Sequence, residues 1–187
     1  MKLVLASKSP RRSEILKNAG YEFTVRVADA DETIPDGTKP EDAVVFLAAR
    51  KAMAVERADD ETILGADTIV VLDDKILGKP KDREDAYNML KSLSGRAHSV
   101  FTGVCIIENG KSMTFAEETQ VEFLSLTDKE IYEYIDTNDC YDKAGAYGIQ
   151  GYASKFIRRI SGDYFNVVGL PISAIFEKFL QKAKNND

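Results

Sequence analysis

Charged side chains occur at three places where the local sequence pattern predicts apolar or neutral residues, and such departures often mark functional sites. The clearest is Asp67, which lies within the nearly continuous apolar run Ile63–Val71. A carboxylate there is costly unless a cation or hydrogen-bond donors accompany it, so Asp67 is a candidate catalytic residue or metal ligand. Gly65 and Ala66 beside it would let a ligand approach the backbone closely. A structural aspartate at a β-bulge is the alternative.

The second place is the segment Ser7–Arg12, where a predicted strand runs directly into a helix. The N-terminus of a helix attracts anions through its N–H groups and its dipole, and guanidinium groups bind phosphate strongly. Ser7, Ser9, Arg11 and Arg12 are therefore candidate ligands of a phosphate group. The alternative is a plain capped helix whose arginines face solvent.

The third place is a lysine within an apolar helical stripe, formed by Val44, Leu47, Ala48, Lys51, Ala52 and Val55. A lysine on a buried face needs a partner for its charge, although Lys51 could instead extend its ammonium to the rim of the stripe. Lys79 lies in the rigid turn Gly78–Pro80. It could reach the same site as Asp67 or belong to an ordinary surface turn.

Three further features are weaker. Glu32, in the acidic stretch Asp29–Glu32, could ligate a divalent ion or be part of a solvated loop. The glycine-rich loop Asp142–Gly151 could let Gln150 contact the edge of a nucleobase, or be a flexible connection. His98 fits a hydrogen-bonded structural histidine better than a general base.

Composition excludes several kinds of chemistry. The 187 residues include one His and two Cys, which excludes a His-rich metal site and leaves two cysteines that are best interpreted as reduced and structural. The formal net charge of -6 argues against a nucleic-acid partner. No apolar run approaches the roughly 20 residues that cross a bilayer, and the N-terminus lacks a signal-peptide core. We therefore expect a cytoplasmic protein with no membrane partner.

The remaining groups favour one class of reaction. The sequence has neither the Gly-x-Ser-x-Gly elbow of serine hydrolases nor a phosphate-binding P-loop. Two Arg and two Lys for a polyanion, with an Asp and a Glu for a divalent ion, fit metal-assisted hydrolysis of a phosphoanhydride.

Strands and helices alternate along the chain and would position these residues. The predicted strands are 3–6, 21–27, 62–72, 75–77, 100–107, 113–123 and a pair around 156–168; the helices are 10–18, one from Pro40, one capped by Asp82, one capped by Thr127 and Glu130, and one from Pro171. Asn109 and Gly110 predict a tight hairpin turn. The antiparallel hairpin within an alternating pattern predicts a mixed-sheet α/β fold with a cleft.

Five motifs in this order resemble the Maf (septum-formation-inhibitor-like) nucleoside triphosphate pyrophosphatases over essentially the whole chain. They are Leu5–Arg12, Gly65–Thr68, Gly78–Pro80, Ser94–His98 with Thr102 and Gly103, and Asp142–Gly151. The resemblance implies a single domain over residues 1–187, with an elongated, curved, mixed sheet flanked by helices and a deep cleft between two lobes. It also implies a homodimer, and a divalent cation, Mg²⁺ or Mn²⁺, as cofactor.

The glycine-rich loop is similar to that of the branch acting on dTTP and UTP. The resemblance assigns specificity to Arg11, Thr68 and Gln150, and catalysis to Asp67. Ser7, Ser9, Arg12, Lys51 and Lys79 would bind the triphosphate, and Glu32 with Asp67 would hold the metal; Asp67 could equally deprotonate the attacking water. Clearing modified pyrimidine nucleotides would be a plausible role. A nucleotide-binding regulator of cell division, or a pyrophosphatase for a modified purine nucleotide, is the alternative.

Overall fold

A seven-stranded mixed sheet flanked by helices forms the fold, so the predicted mixed α/β class is confirmed. The computed structural model describes residues 2–35 and 37–180. The strands lie in the order β2-β1-β3-β5-β6-β7, and β4 pairs with β3 outside this path. The pairings of β1 with β2 and with β3 are parallel, whereas β3–β4 and β6–β7 are antiparallel.

The first two strands and helices carry the Ser7–Arg12 segment and Lys51. They are β1 (Lys2–Leu5), α1 (Pro10–Asn18), β2 (Phe23–Val25) and α2 (Pro40–Met53). Gly20, at φ 80°, ends α1 as predicted, because a glycine adopts this conformation without strain. Strand β2 is shorter than the predicted 21–27 because it pairs only with the three β1 residues Leu3 to Leu5.

The next elements carry Asp67 and Lys79. They are β3 (Glu61–Leu72), β4 (Lys75–Leu77) and α3 (Arg83–Leu93). Asp73 and Asp74 both have positive φ, as a tight two-residue hairpin turn requires. The side chain of Asp82 accepts a hydrogen bond from the backbone N–H of Asp85, so the predicted helix cap is confirmed.

Strands β5 (Ala97–Glu108) and β6 (Lys111–Phe123) are joined by the turn at Asn109 and Gly110, as predicted. Helix α4 (Asp128–Ile135) begins at a complete capping box between Thr127 and Glu130, which confirms another local prediction.

The predicted pair of strands around 156–168 is wrong. One strand is present, β7 (Ile157–Ser161), followed by the short helices α5 (Tyr164–Val168) and α6 (Ile172–Ile175) and a π-helical turn, Phe176–Leu180. Gly162 leaves the strand at φ 130°, and Asp163 then accepts the backbone N–H of Phe165 at 2.8 Å. An aspartate in this position starts a helix, so the chain cannot return as a second strand.

The chain divides into two compact units. The first unit comprises the described residues of Met1–Asp67, Thr102–Glu117 and Gly169–Asp187, and the second comprises Thr68–Phe101 and Glu118–Val168. Strands β3, β5 and β6 contribute residues to both. The single domain and the cleft stay predictions. No helix in the described part of the chain has the length and apolar character needed to span a membrane.

Each unit has its own apolar core. In the first unit the core includes Val4, Ala48, Ala52, Ile63 and Cys105. In the second it is larger and includes Val70, Leu90, Phe123, Tyr134, Cys140, Tyr147 and Phe156. Both cysteines are buried and free of disulfides, in agreement with their interpretation as reduced and structural.

Candidate active site

Two glycines let α2 lie directly on the backbone of the sheet. A Cβ atom at Gly65 of β3 would lie 2.4 Å from the carbonyl oxygen of Ala48, and one at Gly103 of β5 would lie 2.1 Å from that of Val44. No larger residue fits at either distance, so both glycines are needed for this packing. The expectation that Gly65 opens the backbone to a ligand is therefore wrong. Gly65 instead allows α2, the helix that carries Lys51, to pack closely against β3.

Lys51 lies between two carboxylates. Its Nζ is 2.5 Å from Oδ1 of Asp67 and 2.9 Å from Oε1 of Glu32. The side chains of Lys51 and Asp67 are 20% and 14% exposed, whereas that of Glu32 is 62% exposed. The charges of Asp67 and Lys51, each of which would be unfavourable if buried alone, thus compensate each other. Glu32, which is more exposed, pairs with the same ammonium.

The adjacent residue of α2 positions the loop that carries Glu32. Nη1 of Arg50 donates to both the backbone oxygen and Oδ2 of Asp31, at 2.8 and 2.7 Å. Hydrogen bonds from Thr33 and then Arg50 lower the pKa of Asp31 to about 2. Consecutive basic residues of α2 therefore bind consecutive acidic residues of the loop, and sequence reasoning missed the role of Arg50.

Arg12 is a buried cation beside this arrangement. Its Nε donates to the backbone oxygen of Gly169 at 2.8 Å, and its Nη1 donates to Oγ of Ser7 at 3.0 Å. The same Ser7 oxygen accepts the backbone N–H of Ser9 at 3.2 Å.

Burial lowers the pKa of the Arg12 guanidinium. The negative charges of Asp67 and Glu32 oppose this shift, and the positive charge of half-buried Arg11 adds to it. Arg12, Glu32, Lys51 and Asp67 are thus coupled electrostatically, and we call these four residues the Lys51 cluster.

Three predicted site residues lie in the second unit. Strand β3 is buried from Thr62 to Leu72 except at Asp67 and Thr68, and the boundary between the units falls between these two residues. Lys79 and Gln150 are exposed. Their loops are joined, since the backbone N–H of Gly145 donates to the carbonyl of Gly78 at 3.0 Å.

The loop 142–151 is anchored by contacts at Lys143, Gly145 and Tyr147, which disagree with the alternative of a flexible connection. Nζ of Lys143 bonds Oδ1 of Asp139 and Oδ1 of Asp142, at 2.8 and 2.7 Å. Gly145, at φ 67°, lies against Val70, whose Cγ1 would be 2.9 Å from an added Cβ. These anchors were not apparent from the sequence, because the glycines alone suggested mobility.

The third anchor involves the single histidine. Nε2 of His98 is 2.7 Å from the hydroxyl oxygen of buried Tyr147, and both rings pack edge-on against Phe123. We call His98, Phe123 and Tyr147 the His98 cluster. Burial lowers the pKa of His98 to about 4 and raises that of Tyr147. His98 is thus a hydrogen-bonded structural histidine, as predicted.

The fold and the Lys51 cluster define a class: a mixed α/β protein in which two basic side chains, Arg12 and Lys51, lie with the carboxylates of Glu32 and Asp67. The sequence model of the Maf-like protein family matches residues 2–182, and the chain belongs to this family.

The relatives are similar over nearly their full length. This chain is 50% identical to the dTTP/UTP pyrophosphatase of Thermoanaerobacter sp. (strain X514) over 181 residues, which cover 95% of this chain and 94% of the relative. It is 49% identical to the dTTP/UTP pyrophosphatase of Bacillus anthracis (strain CDC 684 / NRRL 3495), covering 96% and 95%. Among solved structures, the Ham1 protein of Staphylococcus aureus aligns over 66% of this chain and 72% of its own, at 17% identity and a TM-score of 0.47.

Proposed function

We propose that this protein hydrolyses dTTP and UTP to the nucleoside monophosphate and pyrophosphate. The observation that carries the proposal is the position of the Lys51 ammonium, bound between the carboxylates of Asp67 and Glu32. Such a group can exchange its carboxylate partners for phosphate oxygens when a polyanion binds. The choice of dTTP and UTP is supported by the names of relatives about half identical to this chain over nearly their full length.

The basic groups bind the triphosphate. Arg12 is rigid because the backbone of Gly169 and the hydroxyl of Ser7 fix its guanidinium, so its remaining N–H groups have a defined direction. Lys51 supplies a second positive charge, Arg11 and Lys79 supply two more, and Ser9 contributes a neutral hydrogen-bonding group. A fixed guanidinium orients a phosphate with little entropic cost on binding.

Asp67 receives the proton of the attacking water. The water oxygen attacks the α-phosphorus, the bond from that phosphorus to the α–β bridging oxygen breaks, and the bridging oxygen leaves with pyrophosphate. The proton of the water passes to Oδ1 or Oδ2 of Asp67. Lys51, once it has moved to the phosphate, leaves this carboxylate free to act.

Glu32 and Asp67 also fit a divalent cation. Both carboxylates reach one cationic atom, the Nζ of Lys51, so they already converge on a position suited to positive charge. No group of three or more acidic, histidine or cysteine ligands occurs in the described residues, and Mg²⁺ commonly binds one or two carboxylates together with substrate phosphates. A bound Mg²⁺ or Mn²⁺ would offset the charge that develops on the leaving pyrophosphate.

Gln150 reads the base, with Arg11 and Thr68 as further specificity residues. Its amide offers one donor group and one acceptor, which match O4 and N3–H of uracil or thymine. Cytosine presents an amine and an unprotonated N3 at these positions, so the same amide orientation cannot bind it. Gln150 is exposed at the end of an anchored loop, which is compatible with a role in contacting a ligand.

A nucleotide panel tests the proposal. Pyrophosphate and monophosphate are measured with dTTP, UTP, CTP, ATP, GTP and modified purine triphosphates, with Mg²⁺, with Mn²⁺ and with EDTA. We expect release from dTTP and UTP in the presence of either metal and little release from CTP or with EDTA. Preference for a purine would replace the substrate assignment. Tight nucleotide binding without pyrophosphate release would instead support the regulator of cell division.

Two further predictions concern the state of the protein in the cell. A homodimer is expected, and light scattering on the purified full chain gives its molecular mass directly. A cytoplasmic location is expected, and fractionation of cells that express the chain would test it.

A further inference from the structure

His98 has no role in the hydrolysis described above, yet it lies at the centre of a closed aromatic cluster. It is 4% exposed, and its ring centroid lies 5.1 Å from that of Phe123 and 5.3 Å from that of Tyr147. The interplanar angles are 80° and 85°, so each neighbour meets the histidine edge-on. Apart from Tyr147, no hydrogen-bond partner for the ring occurs among the described residues, and Nδ1 has none there.

Stability alone does not explain a histidine at this position. A buried ring nitrogen without a partner costs free energy, and a pair of apolar rings would pack in the same space without that cost. The hydrogen bond to Tyr147 supplies what apolar packing cannot, which is a fixed direction for the tyrosine side chain. We therefore interpret His98 as a residue that fixes the orientation of Tyr147 and not as one that maximises folding stability.

The tyrosine so fixed belongs to the loop that carries Gln150. Two residues lie between Tyr147 and Gln150 along the chain, and the backbone then turns at Gly151, with φ 72°. Beyond the turn, Ala153 and Phe156 are buried. Exposed Gln150 thus lies in a short segment between buried Tyr147 and buried Ala153. We therefore expect a shift of Tyr147 to displace the side chain of Gln150.

We propose that His98 and Tyr147 are positioning residues that hold Gln150 at the angle needed to distinguish uracil from cytosine. The inference rests on the proposed function, because it assigns base reading to Gln150. In this arrangement neither His98 nor Tyr147 contacts the base. The hydrogen bond between them acts through the loop, while the triphosphate contacts of the Lys51 cluster lie in the first unit.

The test compares kcat/KM for UTP with that for CTP. Tyr147→Phe and His98→Phe each remove the hydrogen bond while keeping an aromatic ring, and we expect each to lower the UTP preference about tenfold. The double variant removes the same single bond, so it should also lose about tenfold and not about a hundredfold. Tyr87→Phe is the matched control, since it deletes a hydroxyl bonded to Asp128 at 3.0 Å elsewhere in the second unit, and it should leave the preference unchanged.

Three further readouts separate positioning from general structural damage. The KM for UTP should rise in Tyr147→Phe with kcat within about twofold of the wild-type value, and inhibition by pyrophosphate should be unchanged. In a Gln150→Ala background, Tyr147→Phe should cause no additional loss of preference, because its effect passes through Gln150. The melting temperature of the double variant should lie closer to that of the wild type than the melting temperature of either single variant, because neither partner of the hydrogen bond is left alone. Its preference for UTP over CTP should nevertheless not recover.

An unchanged ratio of UTP to CTP in Tyr147→Phe, or a recovered ratio in the double variant, would overturn the proposal and make the hydrogen bond purely structural. Failure of the wild type to release pyrophosphate from UTP would instead contradict the proposed function. In that event the same variants are compared by calorimetric binding of UTP and CTP. A loss of preference there still supports the positioning role, and an equal affinity change for both nucleotides rejects it.

Discussion

The Lys51 cluster and the His98 cluster belong to different compact units, and the basic residues after which they are named have partners of different kinds. Lys51 is charged and partly exposed, and it shares its ammonium between two carboxylates at 2.5 and 2.9 Å. His98 is almost fully buried, and it makes one hydrogen bond within a set of aromatic rings.

The difference shows how each kind of interaction suits a task. Ion pairs at a partly exposed site can exchange partners, because solvent and incoming charges compensate the groups that separate. A neutral hydrogen bond inside an apolar cluster has no such compensation, so it resists movement. The first arrangement suits binding of a polyanion, and the second suits a fixed loop geometry.

The largest effect is expected when the charge of the Lys51 cluster is changed at Asp67, its proposed catalytic residue. Asp67→Asn keeps the size of the side chain but removes the group that accepts a proton, so kcat/KM for UTP should fall at least about 1,000-fold. Pyrophosphate release under saturating metal measures the effect. Asp128→Asn is the control, because Asp128 is also paired with a lysine, Lys91, at 2.6 Å. Comparable activity of the two variants would remove Asp67 from the mechanism.

Acidification should affect the His98 cluster through folding stability. The folded-state pKa of His98 is about 4 and its ordinary value is 6.5, so between these pH values the unfolded chain binds a proton that the folded chain does not. The stability contributed by neutral His98 is therefore present above about pH 6.5 and lost as the pH falls toward 4, by about 3 kcal/mol in total.

Urea unfolding between pH 7 and pH 4 checks this dependence against the His98→Phe, Tyr147→Phe double variant, which lacks the titrating group. The difference in the free energy of unfolding between the two proteins should shift with pH in favour of the variant. A difference that stays constant would mean that His98 titrates at its ordinary pKa in the folded protein.

The packing that positions Lys51 should be sensitive to a single methyl group. In Gly103→Ala the new Cβ would meet the carbonyl oxygen of Val44 at 2.1 Å, which forces α2 away from β5 and should destabilise the protein by about 2 kcal/mol. Gly78→Ala is the matched control, because an added Cβ there has no heavy atom within 4 Å. Chemical denaturation measures both, and equal stabilities would show that α2 does not depend on this close approach.

The smallest effect concerns metal binding without nucleotide. The Lys51 ammonium occupies the position on which both carboxylates converge, so it would compete there with the proposed divalent cation. Lys51→Met should bind Mn²⁺ about tenfold more tightly in calorimetry, which corresponds to about 1.4 kcal/mol. Lys91→Met, which removes a comparable surface ion pair with Asp128, should leave the affinity unchanged. Weaker Mn²⁺ binding by Lys51→Met would contradict the idea that the ammonium and the metal share one position.

Much of the fold could be predicted because its signals are local. The cap at Asp82, the capping box at Thr127 and the turn at Asn109 each involve residues within a few positions of one another, so their geometry is encoded where they occur. The failed prediction, a second strand after Ser161, concerned a choice between two locally acceptable conformations. The positive φ of Gly162 and the hydrogen bond that Asp163 accepts from Phe165 decided it in favour of a turn and a helix.

The candidate site could be predicted as a list of residues but not as an arrangement. Lys51 and Asp67 were recognisable because each is costly within an apolar pattern, whatever its partner. The contacts of Arg12 with Gly169, which is 157 residues away in sequence, and of Arg50 with Asp31 have no local signal. The same holds for Gly65 and Gly103, whose role is evident only from the helix that rests on them.

The sequence by itself determined which side chains are charged, where they interrupt apolar patterns, and which family the chain resembles. These properties depend on residue types and their order. Only the tertiary structure decided that Lys51 binds Asp67 and Glu32, and that His98 holds Tyr147. The energy of an ion pair or a buried hydrogen bond depends on distance and on exclusion of water, and folding alone sets both.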